Sequence, residues 1–133
     1  MKKNNERTLQ GLIALNLLAS LFHYAHNAVF FDAYPNEPAW LSPGAVDLGW
    51  FALSVLAAAA YLAHRRGRRA TARFSLLAYT IASLSVIGHY VLAPPRAHTF
   101  AMNASILFEA AAALALLGFV AFWPPQRQSE ETT

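Results

Sequence analysis

Four stretches of this chain are apolar over about the length that crosses a bilayer, and this constrains its fold more than any other feature. They run over roughly residues 8–31, 43–64, 72–92 and 99–123. A hydrocarbon core of about 30 Å is spanned by about 20 mostly apolar helical residues. Within the core every backbone N–H and C=O must find its partner inside the segment, so each stretch is expected to be a helix. Only 13% of the 133 residues are charged, about half the proportion usual in a water-soluble domain. The expected fold is a single all-α domain over residues 1–133, an integral membrane four-helix bundle running up-down-up-down. Connections fall at 32–42, 65–71 and 93–98, with a tail at 124–133. Ser42-Pro43 reads as a helix N-cap followed by proline at the first helical position. The pairs Pro94-Pro95 and Pro124-Pro125 stop the third and fourth segments, because proline supplies no N–H and disfavours helix before it.

Charge sets the expected orientation. Lys2, Lys3, Arg7, Arg65, Arg66, Arg68, Arg69, Arg73 and Arg127 fall at one side of the segments, and only Arg96 at the other. The positive-inside rule then places both termini and loop 65–71 in the cytoplasm, with 32–42 and 93–98 outside; in a bacterium this is the inner membrane. RRGRR (65–69) reads as a topology anchor able to touch anionic lipid headgroups, so no nucleic-acid partner is expected. MKKNNER resembles the basic start of a signal peptide. No small-residue cleavage site follows it, and the apolar run is too long, so the first segment is expected to be retained. The chain contains no cysteine, which removes disulfides and thiolate ligands from consideration. Trp40, Tyr34, Tyr90 and Trp123 fall where interfacial aromatic belts are expected.

Against this topology the polar residues are unevenly distributed. His23, His26, Asn27, Asp32, Asp47, His89, His98, Asn103 and Glu109 all fall in the outer half, whereas the inner half holds little that ionises besides His64. A rise of about 1.5 Å per residue places His23 roughly 12 Å below the outer boundary and Glu109 at about the same level. His23, His26 and Asn27 are spaced i, i+3, i+4 and share a helical face. On the second segment Asp47, Trp50, Ser54, Ala58 and Tyr61 make a stripe. On the third, Ser85 lies one turn below His89, with Ala82 and Ala78 beneath. On the fourth, His98, Met102, Ser105, Glu109 and Ala112 align, with Asn103 beside them. The expectation is a polar cup in the outer half of the bundle.

A carboxylate this deep is costly unless paired or protonated, which makes Glu109 a functional candidate. Imidazole and carboxylate groups from facing helices suit Zn, Fe or Cu. The leading expectation is therefore a metal site drawn from His23, His26, Asn27, His89 and Glu109, with Asp47 supporting, in a small oxidoreductase or hydrolase. Neither an HExxH nor a paired ExxH motif is present, so zincin and ferritin-like di-iron sites are not indicated. A haem b held between His23 and His89 is an alternative, with Gly88 leaving room for the ring. A cofactor-free alternative has Glu109 and His23 as an acid–base pair acting on an apolar lipid, isoprenoid or sterol-like molecule. Phe22, Tyr24, Trp50, Tyr90, Met102, Asn103 and Phe108 would then line its pocket. A last reading makes the polar layer only the glue of a non-catalytic subunit. Membrane lipids are the expected surroundings, and a homo-oligomer is compatible with all four readings. PNEPAWL (35–41) reads either as a lid over the cup or as an ordinary interfacial loop, and His98 is expected to be solvated. Asn103-Ala-Ser matches a glycosylation sequon but falls inside a span.

Overall fold

The structure, a computed structural model, describes residues 3–123, so Lys2, the Pro124-Pro125 stop, Arg127 and the tail 124–133 lie outside the described residues. All the regular structure within them is helical: α1 (Lys3–Val29), α2 (Pro43–Arg65), α3 (Arg69–Leu84), the single turn α4 (His89–Leu92) and α5 (Phe100–Ala121). α4 continues α3 through a tight 3₁₀ turn at Ser85–Gly88, so the third span runs over Arg69–Leu92. Four helical spans are thus long and apolar enough to cross a membrane. The helices pack as a ring in which α1 meets α2 and α5, and α3 meets α2 and α5. Neighbours are antiparallel: Gln10 near the start of α1 bonds Tyr61 near the end of α2, and His23 near the end of α1 bonds Ser105 near the start of α5.

Local chemistry accounts for the ends. The Ser42 side chain accepts from the Ala45 amide at 3.3 Å, with Pro43 in the first helical position. The Thr99 hydroxyl does the same for the Met102 amide at 3.3 Å. α2 stops in a Schellman motif: the Gly67 amide reaches the His64 carbonyl and the Arg68 amide the Ala63 carbonyl. Gly67 holds φ at 74° there, a left-handed conformation in which an L side chain crowds its own backbone. The glycine of RRGRR is what lets α2 reverse into α3. At the same end Arg73 donates to the Ala121 carbonyl at 2.9 Å, supplying a cation and a donor to the C-terminus of α5.

The interior divides into two zones. Towards the arginine end the core is apolar, built from Leu9, Ile13, Ala57, Ala60, Leu76, Tyr79, Leu116, Val120 and Trp123. Towards the opposite end it is polar, with Asn16, Ser20, His23, Asn27, Ser83, Ser105 and Glu109 all buried. Along α1 the buried residues are Leu9, Ile13, Asn16, Ala19, Ser20, His23 and Asn27; apart from Ala19 they alternate four and three apart, as the seam of one helix packed on others requires. The outward faces carry Leu18, Val55, Phe74, Ile81, Leu107, Phe108 and Leu114 in the open, a surface that only hydrocarbon or another apolar partner covers without penalty.

Candidate functional site

The polar end of the ring holds a cleft of about 650 Å³ beneath the connection between α1 and α2. Its inner wall carries His23, Asn27, Glu37 and His89. Ala45, Val46 and Gly49 of α2 face Val86, Gly88, Val91 and Leu92 of the third span across it, and Pro38, Trp40 and Leu41 roof it. Val91 and Trp40 are 86% and 79% exposed, so the cleft opens sideways onto the bundle's apolar exterior. The 3₁₀ turn at Ser85–Gly88 tightens the winding of the third span beside this opening. Opposite, Gly49 allows the Tyr24 ring close to α2: a Cβ there would sit 3.3 Å from the tyrosine Cε1.

Hydrogen bonding determines which nitrogens face the cleft. The Ser105 hydroxyl gives its one proton to the Met102 carbonyl at 2.9 Å. At 3.2 Å from that oxygen, His23 Nδ1 is therefore the donor, which leaves Nε2 as the acceptor of the neutral ring. His89 is contacted at both nitrogens: Nε2 lies 3.3 Å from Asn27 Nδ2, and Nδ1 lies 3.3 Å from Glu37 Oε1, within ion-pair distance but outside hydrogen-bond geometry. With Asn27 donating, the imidazole proton sits on Nδ1 and faces the carboxylate. The two imidazoles touch edge to face with centroids 5.1 Å apart.

The α1–α2 connection is part of this site. Asn36, at φ 60°, turns the chain there, and its side chain donates to the Leu92 carbonyl at 2.9 Å. Glu37, with its side chain 8% exposed, is thereby brought over His89. Burial pushes the Glu37 carboxyl above its ordinary value, against the opposing effects of the Asn27 amide and His98. Tyr34 lies inside at 4% exposure rather than in an interfacial belt. Its hydroxyl is 2.9 Å from His26 Nδ1, and burial raises its phenol above the usual value. His98 is buried rather than solvated, its Nδ1 3.2 Å from the Pro94 carbonyl.

The structure sorts the expected site residues. His23, Asn27 and His89 converge. His26 lies at the flank, against Tyr34 and Phe30. Asp47 is exposed on α2 and turned away from them, because the buried stripe of that helix runs through Val46, Ala57 and Ala60. Glu109 is buried but does not line the cleft. It accepts from Ser83 at 2.9 Å, one helical turn of about 5.4 Å below Ser105 and the His23 layer. Counting residues from segment ends put Glu109 and His23 level; the α1 residue that meets the Glu109 layer is Asn16, through Ser83. Ser85 lines the cleft in the open, its hydroxyl returned to the Ala82 carbonyl, whereas Ser83 is the serine that α3 buries. Of the expected pocket residues, Tyr24 lines the cleft. Trp50 donates to Ser20 at 3.2 Å, and Tyr90 donates to Asn103 at 2.8 Å. Met102 is buried, whereas Phe22 and Phe108 are exposed on the outside.

Sequence reasoning missed Glu37, Tyr34, Asn16 and Ser83. Asn16 was within reach, since it continues the His23 and Asn27 stripe at the same alternating spacing. Among the described residues, no group of three or more histidine and acidic side chains is placed to hold a metal ion. No protein-family model, curated protein sequence or solved structure matches the chain.

Proposed function

We propose that this protein binds an amphipathic, membrane-resident small molecule, such as a long-chain or isoprenoid alcohol, in the cleft at its polar end. The supporting observation is the shape of that cleft. Its polar inner wall faces an opening onto the apolar exterior, between the start of α2 and the end of the third span. A head group enters from the bilayer and reaches the histidines while its chain stays in hydrocarbon. His23 Nε2 accepts a proton or hydrogen bond from the head group. The Glu37–His89–Asn27 chain holds the second imidazole beside it, so the site is also equipped for proton transfer on the bound molecule. The acid–base partner of His23 in this reading is the Glu37–His89 pair rather than Glu109.

The test is titration of a photoreactive long-chain alcohol into the protein in lipid nanodiscs, with mass spectrometry of the labelled peptides and elemental analysis of the same sample. Labelling is expected at the cleft wall, including Val46 and Val91. His23→Ala or Asn27→Ala should weaken binding about tenfold, the effect of roughly one lost hydrogen bond. Asp47→Ala should leave it unchanged. A transition metal at near-unit stoichiometry, lost in His23→Ala and His89→Ala, would overturn this reading in favour of a metal centre.

A further inference from the structure

Below the cleft lies a second polar group that the proposed binding does not use. Glu109, Asn16, Ser83 and Tyr79 are 0%, 0%, 1% and 0% exposed. Ser83 Oγ stands 2.9 Å from Glu109 Oε1 and 3.3 Å from Asn16 Oδ1. Glu109 Oε2, Asn16 Nδ2 and the Tyr79 hydroxyl find no hydrogen-bond partner. A serine hydroxyl has one proton, so it satisfies only one of the two acceptor oxygens beside it. If Asn16 is turned over, Ser83 gains a donor, but the asparagine oxygen becomes the orphan and Oε2 stays bare.

Among the described residues, no cationic group offsets a charge on Glu109. On α1 the nearest titratable side chains are Tyr24 and His23, whose Nδ1 is engaged with Ser105. α3 offers Tyr79, and Thr80, whose proton returns to its own helix at Leu76 and Leu77. The titratable residues of α2, Asp47, Tyr61, His64 and Arg65, lie towards its two ends. An ionised carboxylate would thus be buried with one donor for two oxygens and no counter-charge, the arrangement that burial penalises most.

One added proton removes the buried charge and pairs both oxygens that flank Ser83. We propose that Glu109, Ser83 and Asn16 form a buried proton-binding site in which the Glu109 acid donates to Ser83 and Ser83 donates to Asn16. The Glu109 and Ser83 protons then each have one acceptor, and the carboxyl oxygen left without a donor is that of a neutral acid. The bond that forms is O–H on Glu109, its proton taken from water; no electrons move. This inference is independent of what the cleft binds, because none of the three residues lines it.

Infrared spectroscopy of the protein in lipid nanodiscs tests it. At neutral pH the expected result is a protonated-carboxyl C=O band that disappears in Glu109→Gln and moves to higher frequency in Ser83→Ala, where the acid loses its acceptor. Should Glu109→Gln fail to fold, the Ser83→Ala shift in ¹³C-glutamate-labelled protein gives the same answer. The proposal is overturned if Glu109→Gln removes only ionised-carboxylate bands. It is equally overturned if sodium chloride, but not choline chloride, stabilises the parent protein and not Glu109→Gln, since the site then holds a sodium ion.

Discussion

Replacing Glu37 by glutamine tests whether the α1–α2 connection belongs to the site or only lies over it. Glu37 Oε1 is 3.3 Å from His89 Nδ1, and the two side chains are 8% and 14% exposed. The His89 ring is neutral, its Nε2 accepting from Asn27, so this is a contact between a carboxyl group and a neutral imidazole rather than an ion pair. Oε1 stands against Nδ1 without completing a hydrogen bond, and a neutral hydrogen bond contributes about 0.5–1.5 kcal/mol. The coupling expected from a Glu37→Gln and His89→Phe double-mutant cycle is therefore about 0.5–1 kcal/mol. Equilibrium unfolding in sodium dodecyl sulfate, followed by tryptophan fluorescence, measures it. Hydrogen exchange should speed up at 32–42 in either single variant, since the Asn36 to Leu92 bond then holds the loop without help from the pair. A coupling under about 0.5 kcal/mol, below the usual range for hydrogen bonds, with unchanged exchange at 32–42, would refute the reasoning.

The remaining predictions concern pH, the reverse turn and the core. Because burial raises the Glu37 carboxyl, the folded state keeps its proton above the ordinary value of 4.5 while the unfolded chain has lost it. Stability from this group should then fall as pH rises from 4.5 to the raised value and stay level on either side; melting curves across that window should lose the slope in Glu37→Gln. Gly67→Ala should cost about 1–2 kcal/mol, because it puts an L side chain at a left-handed φ; Gly67→Asn should cost less in the same unfolding assay. Leu76→Ala, at a fully buried position, should cost about 2–5 kcal/mol. Phe74→Ala, 75% exposed on the outer face, should leave the bundle's internal packing unchanged by the same measurement.

The residues divide by how far their interactions reach. Where the partners lie within a few positions, the sequence alone was sufficient. Apolar length marked four helices, Ser42-Pro43 marked one helix start, and the paired prolines at 94–95 marked the end of the third span. The seam of α1 is also local, since alternating steps of four and three place Asn16, Ser20, His23 and Asn27 on one side whatever they meet. Three decisions needed the tertiary structure. Where α2 turns relative to its neighbours takes Asp47 out of the site, because an acidic residue near a helix end reaches solvent as readily as the interior. The 3₁₀ turn at Ser85–Gly88 changes the winding of the third span, so helical spacing from His89 reached Ser85 on the cleft wall but concealed Ser83. Glu37 reaches His89 only because the loop folds back over the bundle, and no periodicity governs a loop. Sequence determined that polar groups would gather at one end of four helices; the folded chain alone decided that His23, His89 and Glu37 share a cleft and Glu109 does not.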